Sequence, residues 1–198
     1  MKTTCVFGDS IAWGAYDPKN GGWVNLLRGH LEPQDISVYN CGVSGNNTDD
    51  LLERFKVEAK ARKPERIIFA IGINDSQYID SRDNTRVPED KFVKNLETLI
   101  GQAKEFTDEI VFLGLTQVEE SKVMPIPWSD ENKNYGNTNV GTYNSLIEEV
   151  ANKFGIPFVG ILDLLKIDEL EDGLHPNSKG HEKIFQKVKD FLVENKWV

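Results

Sequence analysis

Five short apolar runs, each followed by a longer amphipathic stretch, set the rhythm of this chain and leave few folds open to it. The runs fall at 3–7, 36–40, 66–71, 109–115 and 156–160 and are rich in Val, Ile, Phe and Leu. Short continuous runs of that kind are the mark of strands buried on both faces of a parallel sheet. Between them the apolar residues recur at helical spacing. Trp23, Leu26, Leu27 and Leu31 share a face, as do Leu51, Leu52 and Phe55. So do Phe92, Leu96, Leu99 and Ala103, and then Tyr143, Leu146, Ile147 and Val150. A last helix carries Ile184, Val188, Phe191 and Leu192, with Ser178 placed as its cap. Strand and helix alternating five times predict an α/β fold built on an open parallel sheet with helices on both faces. In such a sheet the functional crevice lies beyond the carboxyl ends of the strands, near the point where the strand order reverses. With no repeat, linker or low-complexity segment in view, residues 1–198 are expected to form one domain.

Composition narrows the partners. A net charge of −9 and the lack of a Lys/Arg cluster speak against nucleic acid, whose phosphates need a basic stripe, and against stable association with anionic membranes. No apolar run approaches the roughly 20 residues needed to span a bilayer. The first nine residues carry one cation and then a short strand that meets an acid, where a secretory signal would continue apolar. Cys5 and Cys41 make neither a disulfide framework nor a metal motif, and are expected as buried free thiols near the ends of two strands. A cytoplasmic location fits both observations. Residues 116–139 break the rhythm: the stretch is long and polar, and Met124, Pro125, Pro127, Trp128 and Tyr135 are embedded in it. Loops of that length are usually functional or disordered, and this one leaves the fourth strand on the crevice side.

Four blocks carry the chemistry: Gly8-Asp9-Ser10, Gly42-Val43-Ser44-Gly45, Gly72-Ile73-Asn74-Asp75 and Asp172-Gly173-Leu174-His175-Pro176. Three follow predicted strands and so meet at one sheet edge; the fourth precedes the terminal helix. Ser10 alone is a turn former or a helix cap as readily as a nucleophile. Asp172 and His175 change that balance. A hydroxyl needs a base that takes and returns a proton near neutral pH, which is the work of His, and a carboxylate on the other ring nitrogen fixes its tautomer. A carboxylate three residues before His175 on the same loop can reach that nitrogen. His30 and His181 fall inside helical patterns and are read as packing or surface residues. Gly45 lets a backbone N–H approach a substrate closely and Asn74 offers an amide, the two donors that a tetrahedral intermediate requires. Asp9 is expected to tie down its turn rather than move protons.

The order of these blocks resembles the Gly-Asp-Ser-Leu (GDSL) serine esterases, also called SGNH hydrolases, and within them the short lipase/acylhydrolase branch. The resemblance runs from Gly8 to His181. Ile11 stands where a leucine often follows the serine, and Asn47 where a threonine is common. What it implies is a three-layer α/β/α sandwich around five parallel strands, with Ser10 as nucleophile and Asp172 and His175 as its partners. Gly45 and Asn74 would be oxyanion donors beside the Ser10 N–H. No cofactor or metal is implied.

The expectation is therefore a metal-independent carboxylic ester hydrolase working through an acyl-enzyme on a small-molecule ester or thioester. Two other readings stand beside it. A metal-dependent phosphoesterase would use Asp9, Asp75, Asp172 and His175 as ligands, and a catalytically silent module would keep the crevice to hold an acyl or glycan ligand. The segments bordering the crevice are mostly polar, which favours short acyl groups over long ones. Trp13 and Trp128 are candidate walls for a small group or a sugar ring, unless both pack structurally. The loop could instead fold Met124, Ile126 and Trp128 into an apolar lid.

Overall fold

The first apolar run becomes β1 (Lys2–Gly8), an inner strand of the sheet in the computed structural model, which describes residues 2–198. Met1, part of the N-terminal stretch discussed above, lies outside the described residues. After β1 come a four-residue helix α1 (Ser10–Trp13), α2 (Trp23–Leu31), β2 (Ile36–Gly42) and α3 (Thr48–Arg62). The middle of the chain gives β3 (Arg66–Ala70), the two-residue β4 (Tyr78–Ile79), α4 (Glu89–Ala103) and β5 (Ile110–Leu113). The last part gives α5 (Glu120–Val123), β6 (Lys133–Asn134), α6 (Asn137–Lys153), β7 (Phe158–Val159) and α7 (Ser178–Glu194).

The five main strands lie in the order β2-β1-β3-β5-β7, and every neighbouring pair is parallel. The chain steps from β1 to β2 on one side, then crosses back to β3 on the other. The gap between the carboxyl ends of β1 and β3 is thus the point where the strand order reverses.

Alternation along the strands builds the three layers. Cys5 and Phe7 of β1, Phe69 of β3 and Phe112 of β5 face α3, α4 and α6, where Phe55, Leu96 and Ile147 meet them. Val6, Ile68 and Val111, one residue out of step, face Trp23 and Leu27 of α2 and Ile184 and Val188 of α7. Phe7 meets the edge of Phe55 at 4.8 Å between ring centres, and Phe69 stacks on Phe112 at 5.0 Å. Both faces of the sheet are covered, which is why its strands read as unbroken apolar runs. Cys5 and Cys41 are buried free thiols on the adjacent strands β1 and β2.

Two local features differ from the sequence expectation. Asn177, not Ser178, caps α7: its side chain accepts from the Lys179 and Gly180 N–H groups, and Ser178 is already the first helical residue. Ser178 instead donates its hydroxyl to Asp17 Oδ1 at 2.6 Å. The 116–139 stretch is not an open loop. It holds α5 and β6 and already enters α6 at Asn137. β6 pairs antiparallel with β4, Tyr78 opposite Asn134 and Ile79 opposite Lys133. Asn137 accepts from the Val118 N–H and donates to the Val118 carbonyl, which closes the base of the segment. Among the described residues no helix is long and apolar enough to cross a membrane.

Candidate active site

Three sequence-distant blocks arrive at the β1/β3 gap because each follows its strand directly. Gly8 ends β1 where a side chain cannot fit, since a Cβ there would lie 2.3 Å from the Ala70 carbonyl of β3. Asp9 then caps α1 by accepting from the Ile11 N–H at 2.9 Å, which turns the chain and presents Ser10 at the start of the short helix. Burial pushes the Asp9 carboxyl up to about 6, against the pull of the Ile11 amide.

Ser10 Oγ lies 2.9 Å from His175 Nε2, and His175 Nδ1 lies 2.8 Å from Asp172 Oδ2. The second Asp172 oxygen accepts from the backbone N–H groups of Leu174 and His175, at 3.0 and 2.8 Å. Burial raises the Asp172 carboxyl, but the His175 ring, its N–H and its charge more than offset that and hold the group at about 2. An ionised Asp172 accepts the Nδ1–H, which leaves Nε2 as the acceptor facing the Ser10 hydroxyl. The three side chains therefore form one unbroken hydrogen-bonded line.

Gly45 sits at φ +80, the left-handed region that favours glycine, and no protein acceptor takes up its N–H or that of Ser10 among the described residues. Asn74 is held at both ends: its Nδ2 donates to the Asn46 carbonyl at 2.9 Å, and its Oδ1 accepts from the Tyr135 hydroxyl at 2.6 Å. One Nδ2 hydrogen is left over for the crevice. Ser10, Gly45, Asn74 and His175 all line one open cavity of about 790 Å³. Trp13 and Trp128 line it too, and at 57% and 58% exposure neither is packed into the core. Ile126 is also part of the wall, while Met124 is not. Four charged residues also line the cavity, Arg86, Asp130, Glu131 and Lys133.

Asp75 is fully buried next to Asn74 and accepts from both the N–H and the hydroxyl of Thr48, at the start of α3. This bond ties the Asn74 turn to the helix that follows Gly45. Asp9, Asp75 and Asp172 thus direct their oxygens at protein donors. Among the described residues no three His, Cys, Asp or Glu side chains converge as a metal would need. His181 is buried, donates Nε2–H to the Ala15 carbonyl at 2.9 Å and accepts the Trp23 N–H at Nδ1. His30 instead packs edge-on against Phe185.

Several residues around the site carry no local signal in the sequence. Tyr16 lies over the His175 ring at 5.1 Å, a pairing of residues 159 positions apart that no spacing rule joins. Arg54 spans the ends of two strands: it donates to the carbonyls of Gly8 and Cys41 and to Asn46 Oδ1. Tyr135 comes from the inserted segment.

Residues 6–183 match the GDSL-like lipase/acylhydrolase family. The chain is 27% identical to the isoamyl acetate-hydrolyzing esterase 1 homolog of Bos taurus, an alignment covering 96% of this chain and 81% of the relative. It is 25% identical to an acetylxylan esterase of Geobacillus stearothermophilus over 80% of this chain and 73% of that one. Among solved structures, a lipase/acylhydrolase from Enterococcus faecalis superposes with a TM-score of 0.78 at 22% identity, covering 97% of this chain and 95% of that one.

Proposed function

The chain belongs to the GDSL-like lipase/acylhydrolase family, and from that premise we propose that it is a metal-independent serine esterase of short-acyl esters, working through an acyl-enzyme. The observation that carries this reading is the continuous line Asp172–His175–Ser10, with contacts of 2.8 and 2.9 Å. In the proposed mechanism His175 Nε2 takes the Ser10 proton as Oγ attacks the acyl carbonyl. The charge that forms on the carbonyl oxygen is met by the Ser10 and Gly45 N–H groups and the Asn74 amide. His175 then gives its proton to the departing alcohol oxygen. Water repeats the sequence in reverse and frees the acid. The whole chain acts as one hydrolase domain in this reading, and its partner is a small-molecule ester or thioester.

Two observations support the short-acyl preference. A long alkyl chain filling the cavity would lie against Arg86, Asp130, Glu131 and Lys133 on its walls, at a cost in lost hydration of those groups. The Bos taurus and Geobacillus relatives also carry names that specify acetyl esters.

A serine-directed phosphonate is expected to label Ser10 alone, with labelling and turnover both lost in Ser10→Ala and neither affected by a chelator. A labelled residue elsewhere would overturn the mechanism. On acetyl, butyryl, octanoyl and palmitoyl esters of one alcohol, kcat/KM is expected to fall with chain length. A rise toward palmitoyl would make the crevice a lipid site.

A further inference from the structure

We propose that Tyr135 is a positioning residue for turnover: its hydroxyl fixes the Asn74 amide with Nδ2 toward the crevice, so the inserted 116–136 segment completes the oxyanion site. The inference rests on Asn74 being an oxyanion donor. A side-chain amide is a two-way group, since rotation by half a turn exchanges its oxygen for its nitrogen. Only the nitrogen can donate to a developing oxyanion, so the rate depends on which way the amide faces. The Asn46 carbonyl accepts one Nδ2 hydrogen from one side, and the Tyr135 hydroxyl donates to Oδ1 from the other. A flipped amide would set oxygen against the Asn46 carbonyl, losing that bond outright, and would force the phenol to give up its donor role toward Asn74.

Three features make Tyr135 a donor fixed in place. It is 3% exposed, so water does not compete for the hydroxyl. Burial, with the Asp9 charge behind it, pushes the phenol well above its ordinary range, and the O–H stays protonated. Its own backbone N–H donates to the Val123 carbonyl at 3.0 Å, and the adjoining β6 pairs with β4 just beyond Asn74. The same segment carries Trp128 on the cavity wall. Substrate wall and oxyanion donor are thus joined through one short stretch of backbone.

The test uses Tyr135→Phe, Asn74→Ala and the double variant, assayed on an acetyl ester and titrated with a boronate that mimics the tetrahedral intermediate. Tyr135→Phe keeps the ring but leaves the buried Asn74 Oδ1 without its donor, so the variant should fold with a melting temperature only a few degrees below the parent's. Its kcat should fall about tenfold with KM within about twofold, and the boronate should weaken by a similar factor. In the Asn74→Ala background the same change should cost nothing further, because the amide that it orients is gone. Tyrosine replaced at 135 by 3-fluorotyrosine, with the shape retained and a more acidic O–H, should keep the parent kcat. A Tyr135→Phe loss that persists in full without Asn74, a loss confined to KM, or a 3-fluorotyrosine enzyme as slow as the Phe variant overturns the proposal. Slow Asn74→Ala with parent-like Tyr135→Phe removes Tyr135 while leaving the oxyanion reading intact. An Asn74→Ala enzyme at full rate removes both.

Discussion

Asp172 accepts three hydrogen bonds, from the His175 ring, the His175 N–H and the Leu174 N–H. Asparagine has the same shape but only one accepting atom. In Asp172→Asn either the backbone pair or the imidazole loses its acceptor. If the amide nitrogen faces the ring, the ring proton moves to Nε2 and blocks the attack on the Ser10 proton. The expected result is a kcat lower by roughly a thousandfold or more, with KM little changed. An Asp172→Asn enzyme near the parent rate would remove this residue from the relay. Because the Asp172 carboxyl is held at about 2, it stays ionised at any pH used for assay. The site residues that the sequence brought into view, Ser10, Gly45, Asn74, Asp172 and His175, each sit directly after a strand or within a short loop where local spacing is informative. Tyr16, Arg54 and Tyr135 act across the fold on residues far away in the chain, and spacing carries nothing about them.

At the scale of elements, the inserted segment is where folding pattern and sequence pattern part. The five sheet strands were legible because burial on both faces makes their apolar runs continuous, even where β7 shrinks to Phe158 and Val159. β4 and β6 are two residues each and too short for any periodicity to show. Side chains do much of the ordering here: Asn137 on Val118, and Glu120 accepting the Asn137 N–H at 2.7 Å. The Ile126 N–H bonds the Lys133 carbonyl at 2.8 Å, so the residues between them form a braced tip that holds Trp128 at the cavity. A ring on such a tip offers a flat face to a substrate and takes no part in proton transfer. Trp128→Ala is accordingly expected to raise KM about fivefold for esters of ring-bearing alcohols, the equivalent of roughly 1 kcal/mol of ring contact, with kcat retained. A fall in kcat with KM unchanged would show that the tip serves the chemistry instead.

For the whole molecule, buried charge decides the pH at which the fold is most stable. Burial pushes Asp9 up to about 6 against the Ile11 amide, and Asp75 up to about 7 against the Thr48 hydroxyl and N–H. In the unfolded chain both titrate near about 3.9. Between roughly pH 4 and pH 7 the native state thus holds more protons than the unfolded one, and stability falls as the pH rises through that window. The net charge of −9 adds self-repulsion in the same direction. Asp17, Asp49, Asp172 and Glu169 work the other way, because their carboxyls are held below the ordinary range, and so does His181, whose imidazole burial holds below its ordinary value of about 6.5. What these carboxyls contribute is present above their ordinary values of about 4 and is lost as the pH falls through the lowered ones. Two raised carboxyls set against one lowered imidazole place maximum stability between about pH 4 and pH 6. Thermal melting is expected to show Tm higher by at least about 5 °C at pH 5 than at pH 8, then a decline below pH 4. Asp75→Asn keeps an oxygen for Thr48 but cannot ionise, so it should flatten the rise between pH 8 and pH 5. A parent Tm that peaks at pH 8, or an Asp75→Asn protein with the parent's slope, would mean that these buried carboxyls do not govern the balance.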